Sequence, residues 1–229
     1  MSLYLTIELL TLSVPLALSF DKKVAYFRLW KYLLPSIQIS AVFFIAVDIW
    51  FTRLGVWGFN PRYNSGIVLS GLPLEEYLFF IIIPYSSIFI HYVFLAYFPD
   101  RSIGRKSTLV LTWSLVSLLA IISLMNIDRL YTSFYSAFTA ILLAFTVSLD
   151  AGLLSRFYLS FLIILIPFFA VNGILTGSFI EEEVVWYHDS ENLGLRIFTV
   201  PVEDILYGFS MVLSSLLIMN RLMRFRKKA

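Results

Sequence analysis

The sequence predicts an all-α membrane protein with seven transmembrane helices, arranged as two parallel three-helix repeats joined by a central helix. Two features of the composition predict the class, and a recurring motif predicts the arrangement. Of the 229 residues, 59% are hydrophobic and 14% are charged, whereas soluble domains carry about 25% charged residues. The mean hydropathy of +0.85 is also that of a protein whose surface faces lipid. We therefore expect an integral membrane protein.

Seven stretches are long and apolar enough to span a bilayer, which takes about 20 residues of helix. They cover residues 2–20, 30–50, 73–98, 108–125, 131–149, 153–176 and 201–222. Trp30 and Trp50 mark the two ends of the second stretch, as an interfacial aromatic belt would place them. The N-terminal sequence MSLYLTIELL has no basic region and no small-residue cleavage site, so we expect the first stretch to be a retained helix.

Lysine and arginine are distributed unequally between the two predicted sides of the membrane. Of the 17 basic residues, 13 lie in the loops 21–31, 99–107 and 150–156 or in the C-terminal tail. The remaining four, Arg53, Arg62, Arg129 and Arg196, lie on the other side. The positive-inside rule therefore places the N-terminus outside and the C-terminus in the cytoplasm of a multi-pass cell-membrane protein. The net charge of +2 is too small to suggest a nucleic-acid partner.

A shift of 128 residues aligns the second half of the chain with the first. It places Gly194 on Gly66, Pro201 on Pro73, Glu203 on Glu75 and Asp204 on Glu76 and, with one gap, Trp186 on Trp57. One helix earlier, FFIAVDIW at 43–50 resembles FFAVNGIL at 168–175. An even number of helices separates equivalent positions, so the repeats are parallel about an axis along the membrane normal. The predicted units are residues 1–107 and 108–229, the fourth helix being joined to the second repeat.

The motifs PLEEYLFF (73–80) and PVEDILYGF (201–209) each place two carboxyl groups at the non-cytoplasmic start of a helix. Proline and acids in a first turn are common at helix starts, which is enough to explain one copy. Two copies indicate more, because ionisable residues at membrane depth are costly and usually face an interior cavity. Glu8 and Asp48 lie at the same end. Converging carboxyl groups share protons, so the cluster is suited to hold a proton and deliver it.

These motifs, with GVWGFNPRYNSGIVLSG before the first and NGILTG, VVWYH and ENLGLRIFT before the second, resemble the integral-membrane lycopene cyclases. The P-x-E-(E/D) marker of that family is matched by Pro73, Glu75 and Glu76 and by Pro201, Glu203 and Asp204. The resemblance covers nearly the whole chain. It implies a lycopene β-cyclase that forms β-ionone rings at the ends of lycopene, giving γ- and β-carotene. The sequence leaves open whether one or both ends are cyclised and whether the ring is β or ε.

The implied reaction needs an acid and a base. The acid protonates the terminal double bond, the carbocation closes a six-membered ring, and the base removes a ring proton. No net redox change occurs, so the resemblance implies no cofactor. No G-x-G-x-x-G follows a predicted strand, so the flavoprotein type of lycopene cyclase is not expected.

The resemblance implies that the catalytic carboxyl groups are those of Glu75, Glu76, Glu203 and Asp204, to which the position of Glu8 adds a fifth. We expect substrate contacts from Asp48, Asn60, Tyr77, Phe79, Asn172, Trp186, Arg196 and Tyr207. The ring faces of aromatic residues can stabilise a carbocation, and the amides and the arginine can orient carboxylates. His188 lies in an acidic loop without a second histidine nearby, so no metal site is expected.

Two other functions remain open from the sequence. A related carotenoid enzyme could use the same acid chemistry and let water capture the cation, as a hydratase, or cyclise a longer carotenoid. A proton-coupled transporter can also have parallel repeats with acids in the membrane, although here the acids cluster at one face. The expected partners are lycopene or a similar acyclic carotenoid and the lipid bilayer. A homo-oligomer and association with other carotenoid enzymes are left open.

The distribution of basic residues predicts the topology. Reporter fusions after Ile127 and after Glu191 should be non-cytoplasmic, and fusions after Arg105 and Ala229 should be cytoplasmic. Alkaline phosphatase and fluorescent-protein fusions would measure this. The opposite pattern would move both acidic motifs to the cytoplasmic face.

Overall fold

The computed structural model describes residues 2–228, with side chains to Phe225, and consists mainly of α-helices. They are α1 (Leu3–Leu18), α2 (Trp30–Leu54), α3 (Leu74–Tyr97), α4 (Arg105–Met125), α5 (Leu130–Leu175) and α6 (Glu203–Lys228). Short 3-10 helices cover Tyr26–Leu29 and Asp189–Glu191. Within the described residues, five helices are long and apolar enough to cross a membrane, and α1 has only 16 residues. The protein is therefore a helical, multi-pass membrane protein, with short strands that the sequence did not predict.

Helix α5 doubles back at Asp150, whose backbone angles of φ −159° and ψ 76° are not helical. Its 46 residues would extend about 69 Å as a straight helix, more than twice the hydrocarbon thickness of about 30 Å. Tyr131, near its start, and Asn172, near its end, instead line the same cavity. The break falls in the turn that the sequence predicts. It divides α5 into a first limb, residues 130–149, and a second limb, residues 151–175.

Each acidic pair lies in the first turn of a helix. Glu75 and Glu76 follow Pro73, the extended residue that precedes α3, and Glu203 and Asp204 begin α6. Unpaired backbone N–H groups give this end of a helix a partial positive charge, which favours nearby carboxylates. The helix starts thus offset part of the cost of placing acids in an apolar bundle.

A short antiparallel hairpin precedes each of these helices. The strands β2 (Val68–Leu69) and β3 (Leu72–Pro73) form the first, and β5 (Arg196–Ile197) and β6 (Val200–Pro201) form the second. In the first hairpin Ser70 and Gly71 both have positive φ, 52° and 97°, as a tight two-residue turn requires. Both hairpins end in the proline before the acidic pair, so they fix where α3 and α6 begin.

A further antiparallel pair joins the α2–α3 loop to the α5–α6 loop. It consists of β1 (Trp57–Phe59) and β4 (Val185–Tyr187), with Gly58 opposite Trp186 at its centre. The indole of Trp186 covers Gly58 so closely that a Cβ there would lie 2.3 Å from the ring. Because Gly58 has no side chain, the two loops can approach each other over the helix ends.

The helices pack around an aromatic core at the end that carries these strands. Tyr4, Phe44, Phe51, Phe80 and Tyr135 are each at most 1% exposed. Helix α1 packs on α3, α2 packs on α6 and α3, and α5 packs on α4 and α6. Helix α4 lies at the edge of the bundle, and most of its large apolar side chains face outward, as expected for contact with lipid.

Candidate active site

A cavity lies where the two strand-bearing loops meet the helix ends. It encloses about 470 Å³ together with its opening. Its polar lining comprises Asp48, Glu76, Asp204, Asn172 and Thr176, and its aromatic lining comprises Tyr4, Trp57, Phe59, Phe79, Tyr131, Phe168, Tyr187 and Tyr207. Glu76 from the first motif and Asp204 from the second therefore face one space.

Asp204 accepts hydrogen bonds from two tyrosines. The Tyr131 hydroxyl donates to Oδ1 at 2.5 Å, and the Tyr187 hydroxyl donates to Oδ2 at 3.0 Å. The two rings stack with centroids 5.8 Å apart. Burial, and next the Asp204 carboxyl group, raise the pKa of Tyr187 well above its usual value of 10. The Tyr187 hydroxyl is therefore protonated and acts as a donor, and Asp204 is an acceptor at both oxygens.

Asp48 and Glu76 form a second carboxyl group pair in the cavity. The Trp57 indole donates to Asp48 Oδ1 at 2.5 Å, and the Tyr4 hydroxyl donates to Glu76 Oε2 at 2.6 Å. Asp48 is 2% and Glu76 6% exposed, and the two carboxyl groups lie near enough to interact. Asp48 Oδ2 has no hydrogen-bond partner in the described part of the chain. This pair thus has a free oxygen beside the cavity, whereas Asp204 has none.

The first acid of each motif binds a loop. Glu75 accepts hydrogen bonds from the Ser2 hydroxyl at 2.7 Å and from the Ser65 N–H at 2.6 Å. Glu203 accepts them from Thr132 at 2.6 Å and from the Leu193 N–H at 2.8 Å. Both carboxyl groups therefore fasten the loop before a hairpin to the start of a neighbouring helix. The second acid of each motif lines the cavity, and Glu75 and Glu203, which were expected to be catalytic, lie outside the lining.

Glu8 lies one turn beyond Tyr4 on α1 and behind the first acidic pair. It is 1% exposed, and neither carboxyl oxygen has a hydrogen-bond partner within residues 2–228. The acids that interact with it are Glu75 and Glu76. Glu8 is outside the cavity lining and in electrostatic contact with the acids of the first motif.

Among the residues expected to contact substrate, Asp48, Phe79, Asn172 and Tyr207 line the cavity. The two polar residues Asn60 and Arg196 are outside the lining. The Asn60 amide donates to Glu182 at 2.9 Å on the loop surface. Arg196 is paired with Asp189 at 2.9 Å. The side chains of both residues thus bind acidic residues in the α5–α6 loop.

The aromatic residues Tyr77 and Trp186 also lie outside the lining. Tyr77 donates its hydroxyl to the carbonyl of Leu69 at 2.9 Å and so stabilises the first hairpin. Trp186 is 42% exposed, since its indole lies over Gly58 on the outer side of the strand pair. Proximity to the motifs in sequence did not predict the direction of these side chains.

The sequence reasoning missed the residues that donate to the acids: Tyr4, Tyr131, Tyr187 and Trp57. A signal existed for two of them, because a shift of 127 residues places Tyr131 on Tyr4, each in the first turn of its helix. Trp57 and Tyr187 are in loops, and the pairing of β1 with β4 brings them to the cavity. That pairing joins segments far apart in sequence.

Apolar helices that enclose several carboxyl groups among aromatic rings define a class, the multi-pass membrane proteins with a buried cluster of carboxyl groups. The family model described as "Lycopene cyclase" matches residues 1–94 and 128–222, which is most of the chain. The protein therefore belongs to the lycopene cyclase family, as the resemblance of its motifs indicated. This membership supports a cyclase of carotenoid biosynthesis in a membrane.

The chain is also similar to the "Bifunctional lycopene cyclase/phytoene synthase" of Phycomyces blakesleeanus. The two are 44% identical over 57 residues, which are 24% of this chain and 10% of that protein. The chain thus matches about a tenth of the length of this relative. No solved structure matches the chain.

The hydrogen bonds to Asp204 generate a prediction. Tyr131→Phe keeps the ring that stacks on Tyr187 and removes one donor, so activity should fall by about 10-fold or more, the effect of about 1.5–3 kcal/mol for a bond to a charged group. Tyr158→Phe is the matched control, because it removes a buried hydroxyl bonded to Thr112 at 2.8 Å away from the cavity. The assay is conversion of lycopene by membranes containing equal amounts of protein. Equal losses in both variants would contradict a specific role for the Tyr131 hydroxyl.

Proposed function

We propose that the protein is a lycopene β-cyclase that forms β-ionone rings at the ends of lycopene by acid–base catalysis. The observation that carries this proposal is that Asp48, Glu76 and Asp204 line a single aromatic cavity. Cyclisation needs a proton donor, a proton acceptor and a non-nucleophilic surface for the cation between them. The cavity offers all three, and family membership supplies the substrate class.

In this mechanism the Asp48–Glu76 pair is the acid. Two carboxyl groups in contact in a buried site hold a proton between them, because like-charge repulsion opposes the ionisation of both. Asp48 Oδ2, which has no partner among the described residues, is the oxygen that can present this proton. Transfer of that proton to the terminal double bond leaves both carboxyl groups ionised, and the tertiary carbocation that forms beside them offsets the added negative charge. Attack by the neighbouring double bond then closes the ring.

Asp204 is the base. Its two tyrosine donors stabilise negative charge on the carboxylate and hold it in a fixed orientation. It removes a proton from the ring carbon next to the cationic centre, and the electrons of that C–H bond form the ring double bond. One proton enters and one leaves, so protons and electrons balance. Return of the proton from Asp204 to the Asp48–Glu76 pair through solvent resets the site.

The aromatic lining stabilises the cation between these two steps. Tyr207 lies on α6 one turn after Asp204, with its ring centroid 5.0 Å from that of Tyr135 and 5.8 Å from that of Phe44. Phe79 lies one turn after Glu76 on α3. The faces of such rings attract positive charge without forming a bond to it. This favours ring closure over capture of the cation by water.

Glu8 has a supporting role in the proposal. A buried carboxylate without hydrogen bonds is costly, so a carboxyl group in this position is stable as a neutral acid. Its contact with the acids of the first motif makes it a reserve of protons for that half. The second half has Tyr135 at the corresponding position of the first limb of α5. The donor side thus has more titratable groups than the acceptor side.

The proposal includes seven spans in two parallel repeats, residues 1–107 and 108–229, with α4 as the connecting helix and the N-terminus outside. Three observations support it: the break of α5 at Asp150, the matching registers of the two hairpins, and the two stretches of nearly equal length that match the family. The strand pair also fits a two-fold axis, since Trp57 pairs with Tyr187 and Phe59 with Val185. A shift of 128 without a gap relates these positions, so Trp57 corresponds to Val185.

The other candidate functions are weaker on structural grounds. A hydratase needs water at the cationic carbon, whereas the cavity is lined largely by aromatic side chains. A transporter needs a polar path through the membrane, whereas the acids cluster at one end and the groove beside them is mainly apolar. Cyclisation of a longer carotenoid uses the same groups, and product analysis separates it from cyclisation of lycopene.

Substitution of the acids tests the assignment. Glu76→Gln and Asp204→Asn keep shape and remove the titratable proton, so each should lower cyclisation by about 100-fold or more. Glu75→Gln keeps an oxygen that can accept from Ser2 and Ser65, so the folded variant should retain cyclisation. Any loss should come from a lower yield of folded protein. Asp100→Asn, at an exposed loop position, is the control. The measurement is the carotenoid profile of a lycopene-accumulating host, normalised to protein level.

The opposite ranking would overturn the assignment. If Glu75→Gln abolished cyclisation in folded protein while Glu76→Gln retained it, the loop-binding acid would be the catalytic one. If the Glu76→Gln and Asp204→Asn variants both remained fully active, the proposal of acid–base catalysis by the carboxyl groups of this cavity would be wrong.

A further inference from the structure

An apolar groove adjoins the carboxyl-lined cavity. It lies between α1, α3 and the second limb of α5 and encloses about 770 Å³ with its mouth. Pro15, Ile83, Phe89 and Ile164 form much of its wall. The hydroxyl groups of Ser86 and Thr11 donate to backbone carbonyls at 3.2 Å and 2.8 Å, so they add little polarity. Such a surface suits an extended hydrocarbon.

The groove opens sideways toward lipid and ends at the cavity. At its mouth Val14 is 59% exposed, on a helix whose outer side faces the bilayer. At its inner end Phe168 and Asn172 line both the groove and the cavity. The Phe168 ring rests against Gly208, where a Cβ would lie 2.8 Å from it. Phe168 therefore lies between the apolar groove and the carboxyl groups of the cavity.

The corresponding region of the other half is filled. A shift of 127 residues aligns Phe138, on the first limb of α5, with Thr11 on α1. A shift of 124 residues aligns Phe43 and Phe44, on α2, with Pro167 and Phe168 on the second limb of α5. Phe43 stacks on Phe138 with centroids 4.9 Å apart, and Phe44 meets Phe138 edge-on at 5.9 Å. Two of these rings, those of Phe43 and Phe138, stand where the groove has Pro167 and Thr11, and they occupy the space that is open there.

We propose that this groove is the binding site for the polyene chain of the substrate and the route by which it reaches the acids from the bilayer. The inference rests on the proposed function and adds the side from which the substrate enters the site. Among the described residues the open groove lies on one side of the two-repeat site, so one acyclic end is held at the acids at a time. A lycopene molecule must leave and rebind end-on for its second ring, and the monocyclic carotene is a released intermediate.

Photo-crosslinking tests this with a matched pair of positions. Ile90 lines the groove, and Ile218 is its counterpart on α6 by the shift of 128; both are partly buried isoleucines in long helices. Each is replaced by p-benzoylphenylalanine in an Asp204→Asn background, so that lycopene is bound without turnover. After illumination of membranes from a lycopene-accumulating host, the protein with the photoreactive group at position 90 should carry the polyene chromophore, and the protein with it at position 218 should not.

Equal labelling at the two positions, or stronger labelling at 218, would overturn the one-sided groove. So would the absence of an adduct at position 90 while wild-type membranes cyclise lycopene. Failure of the proposed function gives a different result, because wild-type membranes would then leave lycopene unchanged whatever the crosslinks show.

A second pair of variants uses lipid-facing positions to avoid damage to the fold. Val14→Trp narrows the mouth of the groove and should lower cyclisation by about tenfold or more through steric exclusion. Ile141→Trp, its counterpart by the shift of 127, is 68% exposed on the filled side and should leave activity unchanged. Equal activity of the two variants at equal protein levels would contradict the proposal.

Discussion

Burying several carboxyl groups inside an apolar helical bundle is the constraint on which the rest of this structure depends. A charge in such surroundings is costly unless partners offset the loss of water. Here the partners come from helix starts, from loop N–H groups and from a ring of tyrosine and tryptophan donors. The β1–β4 pair brings Trp57 and Tyr187 to the cavity, and the loops before the two hairpins supply the N–H groups of Ser65 and Leu193.

The two acids of each motif have different surroundings. Glu75 and Glu203 bind loop backbone and so define the walls of the site. Glu76 and Asp204, one position later, point into the cavity. Adjacent residues in the first turn of a helix project about 100° apart, so one can face the loop while the other faces the interior. Each motif therefore uses one acid to bind the loop and the other to line the cavity.

Much of this could be predicted from the sequence. Hydropathy indicated the apolar helices and the turn at Asp150, and the recurrence of the motif brought Glu76 and Asp204 to one end. The direction of side chains in loops could not be predicted, because it depends on contacts between distant segments. Trp186 turns outward and Tyr187 inward because β1 pairs with β4 in one register. Next to this pairing, the Asn60 N–H donates to the carbonyl of Val184, and the Asn60 side chain binds Glu182 at the loop surface.

Isotope incorporation tests the central claim most directly. If a carboxyl group protonates the substrate and a second removes a different proton, cyclisation of unlabelled lycopene by membranes in D2O must place one solvent deuterium on carbon for each ring formed. Carboxyl protons exchange with solvent before each turnover, so the label reaches the product through the acid. Mass spectrometry of the carotenes should show one added mass unit in the monocyclic product and two in the bicyclic product. Products with unchanged mass would contradict acid–base catalysis by the carboxyl groups of this cavity.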